Sequence, residues 1–471
     1  MRTLQRAVWI VLGASFAFRA FAQGAAPTPA QIELREIYKE LVEINTTDSA
    51  GSCTEAANAL AARLKAAGLP AQDVRVIALP DAPKKGNLVA RYRGTGAKKP
   101  LMLLGHLDVV EAKREDWERD PFKLVEENGY FYARGASDDK SMVAVFTANL
   151  VRYRREGYRP ERDLIQVATC DEEIVPSKYS GIVYLLKNHR DLIDAEFALN
   201  EGGAALLDES GKYQRMTIQA GEKVFQTYQL EVTNPGGHSS LPVKDNAITH
   251  LAGGLARLGA FDFPFKLSAT TRAYFEAMSR VETGRTAADM KAILREPPDA
   301  EAIARLAASR INNAIFRTTC VATMLDAGHA TNALPQRARA TVNCRILPGE
   351  SVAEVQQTLA RVLADDKIRI TPTHEPTLSP PPPLTPAIVG PVEKLSAQMW
   401  PGVPVVPTLL AGATDGRFTI NAGIPTYGVS GMFRDPDGSG VHGFNERIRV
   451  RSLYEGHEFL YRVVKLYAGG R

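Results

Sequence analysis

The sequence has 471 residues, of which 45% are apolar and 23% are charged, and 57 Lys and Arg nearly balance 53 Asp and Glu. This composition is that of a globular protein and excludes a disordered chain or a long coiled coil. The net charge of +4 is dispersed and no long run of Lys and Arg occurs, so we exclude a nucleic-acid-binding protein. A chain of this length usually divides into more than one domain.

The N-terminus has the pattern of an export signal. Arg2 and Arg6 precede an apolar stretch over residues 7–18, and residues 20–22 read Ala-Phe-Ala, which is typical of a cleavage site. Residues 1–22 are therefore predicted to be a signal peptide. A retained membrane anchor is the alternative, although the stretch is short for a membrane span. After removal of the signal, we expect a periplasmic or secreted protein without stable membrane association.

Apolar periodicity in the first part of the chain predicts helices that alternate with short strands. The spacing is helical over residues 31–68, and Gly68 is a stop signal. Further helices are predicted over residues 141–153 and 181–188, and strands over residues 87–92, 101–104, 163–169 and 195–199. Strands that alternate with helices of this length predict an α/β fold with a layered sheet.

The pattern changes at about Lys223. Strands are then predicted over residues 224–232, 317–325, 338–346 and 368–371, and helices over residues 246–258, 270–278 and 352–363. An inserted α+β module explains this change, and the proline-rich segment 379–383 is predicted to be the return linker. We therefore expect residues 30–220 and 376–471 to form one domain and residues 221–375 to form the insertion.

Polar side chains follow three of the predicted strands. His106 and Asp108 come directly after one strand, Glu172 and Glu173 follow the next, and Glu201 follows a third. Ligand sites of open α/β sheets lie at this edge. Each segment also has an ordinary interpretation, because a histidine near a carboxylate is common and adjacent acids form solvated loops. Buried together, however, such acids repel one another unless a cation lies among them.

Two further segments add candidate ligands. Asp138 and Asp139 are adjacent in a glycine-containing turn that opens a helix, where carboxylates also serve as caps, although a cap explains one acid better than a pair. His442 lies far along the chain, in segment 441–446. Two histidines with several carboxylates form a ligand set that suits Zn²⁺, with Co²⁺ or Mn²⁺ as substitutes. The combined pattern therefore predicts a metal site.

These segments, in this order, resemble the M20 family of metallopeptidases and amidohydrolases, which includes glutamate carboxypeptidase, desuccinylases and aminoacylases. The resemblance is strongest over residues 106–140, and the segment Asn200-Glu201-Gly202-Gly203 is most similar to the carboxypeptidase S-like branch. It implies a metallopeptidase domain with a mixed central sheet flanked by helices, and an inserted α+β lid or dimerisation domain.

The resemblance also implies two zinc ions per chain and a role for each candidate ligand. Asp138 would bridge the two ions. His106 and Glu201 would complete one metal site. Glu173 and His442 would complete the other.

Three more residues would act in catalysis according to the resemblance. Asp108 would hold the His106 ring through a hydrogen bond to its other nitrogen. Glu172 would be the general base that activates a metal-held water. His238 would stabilise the oxyanion in the active site of the partner subunit, in a homodimer formed through residues 221–375. By itself, a histidine that follows two glycines is more typical of an exposed loop.

The resemblance further assigns substrate contacts to Asn332, Arg345 and the loop that contains Gly412. A guanidinium suits the recognition of a carboxylate, although Arg345 could equally form a surface ion pair. Gly412 lies in a glycine-rich segment whose backbone N–H groups are candidate donors, and a simple tight turn requires the same residues.

The four cysteines, at positions 53, 170, 320 and 344, are too few for a disulfide scaffold. Cys320 and Cys344 lie in two strand-like segments that are candidates to pair as neighbours. A disulfide between them and two buried thiols are both consistent with the sequence, and neither residue has the spacing of a structural zinc site.

The sequence thus predicts a zinc-dependent carboxypeptidase or N-acyl-amino-acid hydrolase that acts on small peptides or N-acyl amino acids with a free carboxylate. A dipeptidase or a desuccinylase-type amidohydrolase is the alternative within enzymes. A non-catalytic metal-dependent binding protein is the alternative from another class, and Glu172 argues against it, because a binding protein needs no general base.

Overall fold

The computed structural model describes residues 26–471, so the predicted signal peptide lies outside the described residues. Within residues 26–471, no helix combines the length and the apolar character that a bilayer span requires.

The described residues form fourteen α-helices. They are α1 Pro29–Glu43, α2 Cys53–Ala66, α3 Lys140–Glu156, α4 Gly181–Asn188, α5 Arg190–Ile193, α6 Ala247–Gly259, α7 Ala269–Val281, α8 Gly284–Ala292, α9 Ala300–Ala307, α10 Arg310–Ile315, α11 Val352–Leu363, α12 Pro386–Met399, α13 Gly416–Asn421 and α14 Val450–Ala468. Several begin where the sequence supplies a cap. At α1, for example, Thr28 and Gln31 form a capping box and Pro29 occupies the first turn.

The same residues form nineteen strands. They are β1 Val74–Leu79, β2 Ala82–Tyr92, β3 Leu101–His106, β4 Val125–Glu127, β5 Tyr130–Tyr132, β6 Leu164–Thr169, β7 Phe197–Asn200, β8 Ala205–Leu207, β9 Tyr213–Glu222, β10 Val224–Thr233, β11 Gly237–His238, β12 Thr319–Ala327, β13 Ala333–Leu334, β14 Arg337–Ile346, β15 Arg369–Pro372, β16 Val405–Leu410, β17 Thr426–Gly428, β18 Phe433–Arg434 and β19 Arg447–Arg449.

Ten strands form one mixed sheet in the order β1-β2-β6-β3-β7-β17-β9-β8-β18, with β16 beside β9. Strands β6, β3, β7 and β17 run parallel at its centre. Helices α1, α2, α3, α12 and α14 pack on one face, and α4, α5 and α13 contribute to the apolar cluster on the other. Because both faces are covered, all six residues of β3 are buried. The predicted α/β fold with a mixed central sheet is confirmed.

A second sheet has four strands in the order β12-β14-β10-β15. All four lie between β9 and β16 in the sequence, so this unit interrupts the larger sheet, and its core includes residues of α6 and α11. Strand β12 is an edge strand, and its residues 321–327 are exposed.

The segment between residues 261 and 313, for which the sequence predicts no specific role, contains helices α7 to α9 and the start of α10. Their apolar side chains form a separate cluster that includes Val406 of β16. Thr270 of α7 donates a hydrogen bond to the carbonyl of Ala220 in β9, at 3.1 Å. These helices therefore pack against the larger sheet on the side of β16 and β9.

The four cysteines form two disulfides. Cys320 and Cys344 face each other on β12 and β14 and are joined. Cys53 and Cys170 are joined as well, which links the start of α2 to the residue after β6. Only the first bridge joins segments that the sequence predicts as neighbours, because a separation of 117 residues gives no local signal of pairing.

Candidate active site

The predicted site residues meet at one edge of the larger sheet. His106 ends β3, and segment 171–173 follows β6, its parallel neighbour. Glu201 follows β7, which runs parallel to β3 on the other side. The carboxyl ends of parallel strands lie at the same edge, so His106 becomes a neighbour of Glu173 and Glu201, which are 67 and 95 positions away in the sequence.

Two groups of potential metal ligands share Asp138. One contains His106, Asp138 and Glu201, and the other contains Asp138, Glu173 and His442, with the ligand atoms of each group within 4.8 Å of one another. The two oxygens of Asp138 face different histidines: Oδ1 lies 3.1 Å from His106 Nε2, and Oδ2 lies 3.3 Å from His442 Nε2. All five predicted ligands are therefore together, and Asp138 lies between the two groups.

A third group of potential ligands consists of Cys53, Asp108 and Cys170. Its two sulfurs are joined in a disulfide, so they are not available as thiolates. We exclude this group as a metal site.

The contact between His106 and Asp108 differs in detail from the expectation. His106 Nδ1 lies 3.0 Å from the main-chain carbonyl of Asp108 and 3.7 Å from its carboxylate, which is longer than a hydrogen bond. The carboxylate instead accepts a hydrogen bond from the N–H of Glu173, at 3.0 Å. Asp108 thus fixes the His106 ring through its backbone and connects two ligand-bearing segments through its side chain.

The loop that carries Asp138 is held by a residue to which the sequence analysis gave no role. Glu446 is buried and accepts hydrogen bonds from the backbone N–H groups of Gly135, Ser137 and Asp138, at 2.7 to 3.0 Å. It also forms a buried ion pair with Arg134, at 2.8 Å. Glu446 follows His442 by four positions, so the segment that supplies one ligand also fixes the loop of another.

Two glycines permit the close packing that positions Glu201. A Cβ at Gly203 would lie 2.0 Å from the carbonyl oxygen of Gly428, and a Cβ at Gly428 would lie 2.4 Å from the carbonyl oxygen of Glu201. The chain after β7 can therefore lie directly against β17 only because neither residue has a side chain.

The acids of the site are electrostatically crowded. Burial raises the pKa of Glu172 and that of Glu201 well above their usual range, and neighbouring carboxylates raise them further. Burial also acts to raise the pKa of Asp138, but the hydrogen bonds from His106 and His442 outweigh it and hold this pKa well below its usual range. So many buried acids around two histidines form a site that favours a cation.

A cavity of about 360 Å³ opens onto these groups. Its wall includes Asp138, Glu173, Glu201 and His442, together with Glu172, Arg345 and Gly412. A larger cavity of about 540 Å³ lies between α1, α3 and α14, but it contains none of the ligand groups. The chemistry of the lining residues, and not cavity size, identifies the candidate active site.

His238 and Asn332 do not line this cavity. Both are exposed, and they lie together, because the N–H of Ser239 donates a hydrogen bond to the carbonyl of Asn332 at 2.9 Å. The role of His238 in a partner subunit and the substrate contact of Asn332 stay predictions.

Three residues of the cavity region were not singled out from the sequence. Arg417 and Arg434 line the cavity. Asp415 is buried beside it and accepts a hydrogen bond from Thr169 at 2.6 Å. Burial raises the pKa of Asp415 to about 6. Asp415 and Arg417 belong to the same glycine-rich segment as Gly412. Their proximity to Gly412 in the sequence was the signal that could have identified them.

The sequence profile of the family described as peptidase family M20/M25/M40 matches residues 102–466. The N-fatty-acyl-amino acid synthase/hydrolase PM20D1 of Mus musculus is 29% identical over 378 residues, which cover 78% of this chain and 74% of that protein. Probable carboxypeptidase S-like 2 of Dictyostelium discoideum is 28% identical over 389 residues, or 80% of this chain and 74% of that protein.

Among solved structures, the M20 family metallo-carboxypeptidase Sso-CP2 from Sulfolobus solfataricus superposes with a TM-score of 0.71 at 21% identity, covering 93% of this chain and 99% of the other. This similarity shows the fold. Together with the family match over residues 102–466, it confirms the resemblance drawn from residues 106–140. The chain therefore belongs to peptidase family M20/M25/M40 and is a hydrolytic enzyme.

Proposed function

We propose that this enzyme is a zinc-dependent hydrolase that cleaves the amide bond of peptides or N-acyl amino acids with a free carboxylate. One observation carries the proposal: two ligand groups share Asp138, and the buried carboxylate Glu172 lines the same cavity as Arg345. The similarity to a hydrolase of N-fatty-acyl amino acids and to a probable carboxypeptidase supports this substrate class.

The donor atoms fit two zinc ions. Each ligand group offers one imidazole nitrogen and carboxylate oxygens, a set that Zn²⁺ accepts and that Co²⁺ or Mn²⁺ can also occupy. When bound, two zinc ions polarise an amide carbonyl and lower the pKa of a water molecule. His106 and Glu201 would hold one ion, and Glu173 and His442 would hold the other. Asp138 would be a ligand of both ions.

The protein's own groups move the proton and orient the substrate. Glu172 accepts a proton from the attacking water and donates it to the amide nitrogen as the C–N bond breaks. The products are a carboxylic acid and a free amine. Glu172 is buried and lines the cavity together with the ligand groups, and this position supports the role. Arg345 would bind the carboxylate of the substrate.

The first experiment is to measure zinc content and the hydrolysis of a panel of N-acyl amino acids and dipeptides, for the wild type and Glu172→Gln. We expect about two zinc ions per wild-type chain, and a variant that retains zinc but loses 100-fold to 10,000-fold in kcat, on the order expected for a general base. The matched control is Glu209→Gln, which changes an exposed acid and should act like the wild type. If the wild type binds no zinc, or if Glu172→Gln is fully active, the proposal is wrong.

We also propose that the enzyme is a homodimer formed through β12 of the smaller sheet. An edge strand has unpaired backbone groups, and β12 adds three exposed apolar side chains, Val321, Met324 and Leu325. His238 ends β11, and Asn332 directly precedes its partner strand β13. Like β12, these two strands lie between β10 and β14 in the sequence. Dimerisation would allow His238 and Asn332 to reach the cavity of the other subunit.

Finally, we propose that the chain is exported and that its signal is removed after Ala22. The two disulfides support this proposal, because such bonds persist mainly in oxidising compartments. N-terminal sequencing of the protein recovered from its native host should begin at Gln23, and a protein that begins at Met1 would contradict cleavage.

A further inference from the structure

A second cavity of about 260 Å³ lies beside the candidate active site. It is bounded by the segment after β6, by the start of α4 and by residues 374–377. Val175, Phe225 and Arg417 line both this cavity and the one that contains the ligand groups. The two cavities are therefore contiguous, and a substrate bound in the first can extend into the second.

The wall of the second cavity includes apolar side chains that are exposed to solvent. Val175 and Val183 contribute to its wall and are 43% and 41% exposed. Phe225 and Phe418 add two aromatic rings, and the ring of Phe225 stacks with that of His374 at 5.3 Å between centroids. An apolar group that enters this space gains free energy by covering these side chains.

Two arginines lie where the cavities meet. The guanidinium of Arg345 lies 4.6 Å from the centre of the Phe225 ring, and Arg417 lines both cavities. Their side chains form no ion pair among residues 26–471: Arg345 Nε donates to the neutral Asn343, and Arg417 Nη1 is buried without a hydrogen-bond partner. The positive charge of Arg417, added to burial, lowers the pKa of Arg345, so the two cations are close enough to repel each other. A carboxylate at this position would lie between the two cations and reduce their repulsion.

We propose that the second cavity binds the side chain of the amino acid whose carboxylate faces Arg345 and Arg417, and that the enzyme therefore prefers large apolar residues at this position. This inference rests on the proposed function. In an amino acid the side chain and the carboxylate share one carbon, so a carboxylate at the junction of the cavities places the side chain next to Phe225. The acyl group, on the other side of the amide, points away from this cavity.

The test uses two substrate series and one variant. The first series holds the acyl group constant as N-acetyl derivatives of alanine, norvaline and norleucine, and the second holds alanine constant with acetyl, butanoyl and hexanoyl groups. The variant Val183→Trp fills the second cavity from α4 without changing a residue of the first. Leu466→Trp is the matched control, because Leu466 is also a helical apolar residue and is 43% exposed.

For the wild type, kcat/KM should rise about fourfold for each methylene added to the amino-acid side chain. Val183→Trp should abolish this rise, and the dependence of kcat/KM on acyl length in the second series should stay that of the wild type. Leu466→Trp should match the wild type in both series.

Two results would overturn the inference: an unchanged side-chain series in Val183→Trp, or an effect of this variant on the acyl series alone. Both leave the proposed function intact. If the wild type hydrolyses neither series with zinc bound, the proposed function fails and this inference fails with it.

Discussion

Glu446 shows how one buried residue can organise a site without contacting substrate. Its carboxylate accepts three backbone N–H groups of the loop that carries Asp138, and its partner Arg134 is equally buried. A glutamine at this position has one oxygen and an NH₂ group, so it cannot accept all of these bonds, and it leaves the charge of Arg134 buried without a counter-charge.

We therefore predict that Glu446→Gln lowers the free energy of unfolding by about 3–5 kcal/mol and weakens zinc binding through the displaced Asp138 loop. Urea unfolding and zinc titration measure the two effects. The control Glu301→Gln removes an exposed partner of Arg305 and should change stability by less than about 1 kcal/mol. Equal effects of the two variants would contradict the role of Glu446.

His457 gives the protein a predicted sensitivity to acid. It is 2% exposed, its Nε2 has no hydrogen-bond partner, and burial, with the charge of Arg152 added, lowers its pKa to about 4. In the unfolded chain a histidine has a pKa of about 6.5. The unfolded chain thus takes up a proton that the folded protein excludes, so stability is complete above pH 6.5 and is lost progressively as the pH falls toward 4.

Between pH 7 and pH 5 this difference should lower the free energy of unfolding by about 2 kcal/mol. In His457→Leu that part of the pH dependence should disappear. Urea unfolding of both proteins at several pH values measures it, and parallel curves for the two proteins would show that His457 makes no contribution.

At the scale of elements, the disulfide between Cys53 and Cys170 fastens α2 to the end of β6, beside the segment that contains Glu172 and Glu173. It closes a loop with a sequence separation of 117 residues, whereas the bridge between Cys320 and Cys344 closes one of 24. A crosslink that closes a longer loop removes more entropy from the unfolded chain.

Replacing Cys53 and Cys170 by alanine should therefore lower the free energy of unfolding by about 5 kcal/mol, and replacing Cys320 and Cys344 by about 3 kcal/mol. Denaturant unfolding of the two double variants gives the comparison. The reverse order would mean that effects in the folded state outweigh loop length.

Among the elements themselves, long and strongly patterned segments were predicted well. The helix expected over residues 352–363 is α11, and the one expected over 181–188 is α4. The strand expected over 101–104 extends to His106, because the polar histidine gave no apolar signal although it is buried. Periodicity reports burial of apolar side chains, so it misses the last residue of a strand when that residue is polar.

At the scale of the whole molecule, the exposed edge of β12 predicts the assembly. We expect Leu325→Glu to dissociate the proposed homodimer, because it places a charge in each half of a symmetric apolar contact, and to weaken association by about a hundredfold or more. Sedimentation measured over a range of concentrations would detect the change. Hydrolysis should fall as the dimer dissociates, since His238 would no longer reach the active site of a partner subunit.

Ile311→Glu is the matched control, because Ile311 lies on α10 and not on β12, and is as exposed as Leu325, at 66%. A wild type that is monomeric and active would contradict the dimer and the proposed role of His238 together.

The sequence by itself determined the family, the layered α/β fold and the types of ligand. Histidines and acids at the ends of strands are local features, and the order of segments over residues 106–140 and beyond is a property of the chain alone. The resemblance carried by that order implied the five ligand residues, and the structure brings all five together.

Only the tertiary structure decided what depends on contacts between distant parts of the chain. The hydrogen bonds from the Asp138 loop to Glu446 join residues more than 300 positions apart, and the disulfide between Cys53 and Cys170 joins residues 117 positions apart. The second cavity arises where the segment after β6, strand β10 and residues 374–377 meet. Such features have no periodicity or spacing in the sequence, because the packing of whole elements sets the distances that define them.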